Sequence, residues 1–228
     1  MRPTTTTGDL PAMTLLVQLL DKSAAGHAHL CPRQVLGVRM GLLAGRLLGL
    51  EVPNVDRRLL ALIETDGCAA DGVSAATGCT VGNRRLRVLD YGKVAATFVD
   101  RGNDKAIRIV PRKDVRALAQ RQVPDARSRW HAQLKAYQIT PDSDLLVAQE
   151  VTLTISLEQL LSKPGCMVRC ETCGEEIINE REVFMEGAML CRPCAGQSYY
   201  LMPWQASVQT LGNRELEVKS LPEDRFSH

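Results

Sequence analysis

Apolar residues recur at helical spacing through residues 10–25 (LPAMTLLVQLLDKSAA), and Gly26 follows as a natural stop. A second helix is predicted over Pro32–Leu48, with Pro32 in its first turn, where a missing N–H costs nothing. Val35, Leu36, Val38, Met40, Leu42, Leu43, Leu47 and Leu48 cover much of its circumference. Gly37, Gly41, Gly45 and Gly49 fall on every fourth position, so one face is flat. Such a face suits close packing on a neighbouring helix or sheet; the alternative is a binding surface. The spacing resembles that of membrane helices, but Arg33, Arg39 and Arg46 argue against a span.

Residues 59–65 (LLALIET) have the composition of a short buried strand, and residues 67–77 read as a helix beginning at a glycine. Residues 86–89, 94–100 and 106–111 read as strands joined by Asp-Tyr-Gly and Asp-Arg-Gly-Asn-Asp turns. Residues 112–148 read as helical and basic, broken by Pro124 and Pro141 into three pieces. Residues 151–156 form a β-branched run expected as a strand. Lys163-Pro164-Gly165 is the clearest linker. The expected fold is therefore α+β, with helices packed on a small antiparallel sheet over residues 8–162. A small C-terminal zinc-ribbon domain is expected over residues 166–205, with a polar tail beyond it.

Composition adds two constraints. Of 228 residues, 45% are hydrophobic and only 4% aromatic, so the core must be aliphatic. Net charge is +2, but it is unevenly placed. Residues 1–100 carry +2, residues 101–135 carry +7 and residues 136–228 carry −7, which marks separate structural units. The leading residues lack the apolar stretch of a secretory signal, and no apolar run is long enough to span a bilayer. A cytoplasmic protein is expected.

Eight cysteines carry the chemistry. Cys170-x2-Cys173 and Cys191-x2-Cys194 are separated by 17 residues, a four-thiolate zinc spacing. Two intervening residues let one tight turn aim both sulfurs at one ion, and Gly174 and Ala195-Gly196 follow with small residues. Four thiolates leave no open position, so a Zn²⁺ ion here is structural; an iron–sulfur centre is the chemical alternative. Cys166 is a spare thiol nearby. The unit also carries Glu171, Glu175, Glu176, Glu180, Glu182 and Glu186. That sign repels phosphate, so a protein-contact module is expected, with Tyr199, Tyr200 and Trp204 at its edge or at a docking point.

The second constellation is His27-Ala28-His29-Leu30-Cys31-Pro32. In an extended segment, alternate residues share a side, and Pro32 biases Cys31 towards extension. Cys68, at a predicted helix start, is expected to have a lowered thiol pKa. Cys79 lies in a glycine-flanked loop expected to leave its sulfur accessible. One or two thiolates with one or two imidazoles would make an open nitrogen–sulfur site. Asp66, Asp71, Asp90, Tyr91 and Lys93 lie nearby in sequence; helix capping and turn closure are their commoner roles.

Four ordered motifs now matter together: residues 26–40 (GHAHLCPRQVLGVRM), 64–71 (ETDGCAAD), 77–82 (TGCTVG) and 90–95 (DYGKVA). They resemble the FmdE family, named for the FmdE component of molybdenum/tungsten formylmethanofuran dehydrogenase. The resemblance implies an α+β core, an intertwined homodimer and a metal near the His-x-His-x-Cys loop. It points to His27, His29, Cys31, Cys68 and Cys79, and to a second divalent ion, Zn²⁺ or Fe²⁺, in the core. The family usually has glycine where this chain has Ala28 and Arg33. Arg33 thus sets a guanidinium beside the site, where an anion could meet it.

The family name does not carry an activity, because the redox centres of that enzyme belong to its other components. The first reading is thus a non-catalytic metal-binding accessory protein of molybdenum/tungsten enzyme systems. The second is a metal-responsive regulator using Arg112, Lys113, Arg116, Arg121, Arg127 and Arg129 as a phosphate-facing stripe; a solvated helix face accounts for the same residues. The third is an enzyme with an open core metal. No nucleophile triad, carboxylate pair or phosphate loop names a reaction.

Overall fold

A computed structural model of the protein describes residues 9–161 and 165–201. The chain divides between residues 161 and 162 into two compact units. Lys163, Pro164 and Trp204 lie outside the described residues.

The first unit begins with helices α1 (Asp9–Ala24) and α2 (Pro32–Leu48), as the periodicity predicts. Gly49 ends α2 in the left-handed conformation at φ 66°. Strand β1 (Leu59–Ile63) leads through α3 (Cys68–Thr77) to β2 (Leu86–Val88). Strands β3 (Ala96–Asp100) and β4 (Lys105–Pro111) follow. The basic segment forms α4 (Val115–Gln122), α5 (Arg129–Ile139) and the single turn α6 (Asp142–Leu145), with breaks at the two prolines. Strand β5 (Leu146–Val151) and the turn α7 (Leu157–Leu160) close the unit.

The sheet runs β2-β1-β3-β4-β5. Three of its ladders are antiparallel and one, β1–β2, is parallel. The helix α3 causes the difference: a strand reached through a crossover helix returns in the same direction. The last strand also departs from expectation. Residues 146–151 pair along β4, whereas residues 152–156 lie outside the strand. Helix α6 stops after four residues, which frees 146–148 for the edge of the sheet.

Strand β1 is buried on both faces, which is why it reads as an unbroken apolar run. Leu59, Ala61 and Ile63 join the main core with Phe98, Ile107, Ile109 and the helices. Leu60 and Leu62 face Val99, Leu153, Leu157 and Leu160 on the other side. Bidentate ion pairs flank the strand. Arg58 donates to Asp100 at 3.1 and 2.6 Å, and Arg108 donates to Glu64 at 2.6 and 2.7 Å. Burial alone would raise the Asp100 carboxyl, but the guanidinium and the Gly102 N–H outweigh it and hold it below the usual range.

The flat face of α2 seats on α3. A Cβ at Gly37 would lie 2.3 Å from the Ala69 carbonyl oxygen, and one at Gly72 would lie 2.2 Å from that of Gln34. Gly41 lies against side chains instead: a Cβ there would be 2.6 Å from Ala76 Cβ and 3.1 Å from Thr77 Cγ2. The contacts rise together along both helices, so α2 and α3 run parallel. Gly37→Ala or Gly72→Ala should therefore destabilise the first unit by about 1–3 kcal/mol, despite the better helix propensity of alanine. Gly26→Ala, with open space around it, should be nearly neutral. Urea unfolding of the three variants checks this.

Candidate functional site

In the second unit, two hairpins present four thiols. Strands β6 (Met167–Arg169) and β7 (Glu176–Ile178) flank Cys170 and Cys173. Strands β8 (Val183–Met185) and β9 (Ala188–Leu190) precede Cys191 and Cys194. The two turns are alike: Gly174 N–H donates to the Cys170 carbonyl, and Ala195 N–H to that of Cys191, both at 2.9 Å. Glu171 ties the hairpins together, its N–H donating to Met189 O at 3.0 Å and its Oε1 accepting from Met189 N–H at 2.7 Å.

The four donor sulfurs all lie within 4.8 Å of one another. Such a cluster is able to hold one metal ion, and it assembles without Cys166. Among the described residues it is the only group of three or more His, Cys, Asp or Glu donors so gathered. The remaining core here is small: Cys170, Ile177 and Leu190 with a few half-buried neighbours. Backbone N–H groups of Cys173, Cys191 and Thr172 pull the Cys170 thiol down to about 6. The hydrogen bond to Cys191, with burial, pushes Cys194 up to about 12. Crowded sulfurs resist a second negative charge unless a cation is present.

In the first unit, the His27–Cys31 loop joins α1 to α2. Cys31 caps α2 with φ −101° and ψ 144°, the extension expected before proline. Cys68 opens α3. The parallel seating of these helices sets Cys31 and Cys68 at the same end of the pair, near enough for the Cys31 thiol to influence that of Cys68. The Cys68 thiol is pushed up, not down: burial dominates, and the neighbouring Cys31 and Asp71 add to it. The helix N-terminus loses to these effects.

The other predicted members go elsewhere. His27 Nε2 lies 3.0 Å from Asp71 Oδ2 on the surface. The His29 ring meets Trp130 at 5.5 Å and 71°. Cys79 is fully buried, with its Sγ donating to the Leu59 carbonyl at 3.3 Å and burial raising its thiol. Its loop is glycine-flanked, but the sulfur points into the core. Asp90 closes a turn by accepting from Gly92 N–H, while Tyr91 is exposed.

Gln34 is the residue that sequence reasoning missed. It is fully buried; its Oε1 accepts from Cys31 N–H and its Nε2 donates to Ser23 O, both at 2.7 Å. It thus fixes both ends of the loop. The signal was legible, since a glutamine three residues after an N-cap is half of a capping box.

A cleft of about 870 Å³ opens beside Cys31. Cys31, Arg33, Arg112, Lys113, Arg116 and Trp130 line it, with Tyr137 and Gln133 from α5. Among the described residues, no helix is long and apolar enough to cross a membrane.

Comparison with known proteins places these features. Residues 26–147 match the family model described as FmdE, molybdenum formylmethanofuran dehydrogenase operon. The chain belongs to the FmdE family. A solved structure similar to it is that of an FmdE-like protein of tungsten formylmethanofuran dehydrogenase from Syntrophus aciditrophicus. That likeness has a TM-score of 0.51 and 26% identity, and covers 82% of this chain and 95% of that one. A probable S-adenosyl-L-methionine-binding protein of Archaeoglobus fulgidus is 43% identical over 97 residues, which are 41% of this chain and 26% of that protein. The chain therefore spans about a quarter of that relative's length.

Gln34→Ala should leave the Cys31 N–H and the Ser23 carbonyl without their partner. About 1–3 kcal/mol of stability should be lost. In the same variant, thiol-reagent labelling read by mass spectrometry should accelerate at Cys31 and Cys68. Cys79 should stay unlabelled until the unit unfolds.

Proposed function

We propose that this protein is a metal-binding accessory protein of a molybdenum- or tungsten-dependent enzyme system, acting as a cytoplasmic homodimer without catalytic chemistry of its own. The carrying observation is the set of four sulfurs within 4.8 Å of one another in a unit whose apolar core is too small to hold it together alone. Zn²⁺ suits four thiolates in that space and would serve there as a structural ion. The acidic surface of the ribbon then serves protein contacts.

For the core, Cys31 and Cys68 are the two best-placed donors, and a second divalent ion, Zn²⁺ or Fe²⁺, would draw its remaining ligands from His27 or His29. Asp71, already paired with His27, would orient that imidazole. Cys79 contributes packing in the present arrangement. The regulator reading is weaker, because the basic residues of 112–129 do not form one stripe: three of them line the cleft and Arg127 Nε donates to His131. An enzyme remains the reading to adopt if a core ion carries an exchangeable water.

Elemental analysis tests this reading. The natively purified chain should hold two ions. Cys170→Ser with Cys191→Ser should remove the first and loosen residues 166–201, whereas Cys31→Ser with Cys68→Ser should remove only the second. Zinc uptake by the ribbon should weaken steeply as pH falls, because protons compete for thiols as basic as Cys194. A chain that carries no ion in any state would overturn the proposal.

A further inference from the structure

The cleft beside Cys31 is a concentration of positive charge with no carboxylate in its lining. Arg33 comes from the first turn of α2, Arg112 and Lys113 from the segment after β4, and Arg116 from α4. Arg112 pairs with Asp114 at 3.3 Å, with both side chains largely in solvent. Arg33, Lys113 and Arg116 make no ion pair among the described residues. Placing like charges round one hollow costs free energy unless something negative enters it.

The shape selects what enters. A volume of about 870 Å³ falls within the range typical of small-molecule sites. A nucleic-acid strand would need a continuous basic track, but Arg121, Arg127 and Arg129 lie outside this lining. The cleft also has an aromatic wall. Trp130 is half-buried, and His29 and His131 meet it at 71° and 70°, so neither ring stacks flat on the indole. The wall is held firmly. Arg39 of α2 donates to the Tyr137 and Thr140 carbonyls at 2.9 and 2.6 Å and to Asp142, fixing α5 against α2.

We propose that this cleft binds a small polyanion bearing a planar ring, with its phosphate or carboxylate groups among Arg33, Arg112, Lys113 and Arg116 and its ring against Trp130. Guanidinium groups match both kinds of oxyanion bidentately, and a planar ring gains by stacking on indole. The site needs no metal in either unit.

Titration of the full chain tests the proposal. The chain has two tryptophans, so Trp204→Phe leaves Trp130 as the sole reporter. The probes are ADP, benzene-1,2,4,5-tetracarboxylate, pyrophosphate and adenosine, read by tryptophan fluorescence and calorimetry. At least one ring-bearing polyanion should bind saturably, one per chain, more tightly than pyrophosphate, and adenosine should not bind. The tighter of ADP and the tetracarboxylate tells phosphate from carboxylate. Arg33→Gln with Arg116→Gln should weaken binding about tenfold or more, and Arg121→Gln should leave it unchanged. Lys113→Gln, a single change at an exposed position, should shift affinity in the same direction as the double variant if that variant melts early. Three outcomes overturn the proposal: no saturation by any polyanion, equal affinity in the parent and both cleft variants, or oligonucleotide binding that Arg121→Gln and Arg127→Gln weaken as much as the cleft variants do.

Discussion

The seating of α2 on α3, backbone against backbone, fixes the geometry of the first unit. Glycine in a helix costs about 1 kcal/mol relative to alanine, so Gly37, Gly41 and Gly72 burden the helices that carry them. The close approach they permit offsets that cost through dense dispersion contact. Because the helices run parallel, their N-termini meet at one end. Cys31, capping one, and Cys68, opening the other, become neighbours as a consequence. Gln34 then holds the connecting loop to that end, and the positive ends of two helix dipoles point at the same place.

The sheet and the later helices are arranged around this pair. Strand β1, buried on both faces, anchors the sheet, and its flanking residues Arg58 and Glu64 are each fixed by a bidentate partner. Strand β4 delivers the chain to α4 and α5, and Arg39 ties the end of α5 back to α2. The side chain of Arg39 is only 11% exposed, so its charge is used up in that tie. The charges of Arg33, Arg112, Lys113 and Arg116 are not used in this way. The cleft is thus a product of where α5 must sit once α2 is placed.

Much of this was legible in the sequence. Helices α1 and α2 showed their period, Pro32 set the conformation of Cys31, Pro124 and Pro141 placed the breaks between the basic helices, and the ribbon was written in its cysteine spacing. What was hidden depends on long-range partners. The parallel β1–β2 ladder follows from a crossover helix that local pattern shows only as a helix. Strand β5 exists because β4 offers it a free edge, while its own residues are mostly exposed. Cys79 sits in a loop by composition, yet its sulfur finds the Leu59 carbonyl inside the core. His29 likewise finds Trp130, about a hundred residues away, which no spacing rule connects.

The two thiol groups differ in a way that follows from their surroundings. In the ribbon, two equivalent turns aim four sulfurs inward and backbone N–H groups already favour one thiolate, so a cation meets little opposition. At Cys31 and Cys68, two helix N-termini and the Arg33 guanidinium supply positive charge of their own. Burial, with the neighbouring Cys31 and Asp71, nonetheless holds the Cys68 thiol protonated to higher pH. The same field that disfavours a bare cation favours an anion in the adjoining cleft.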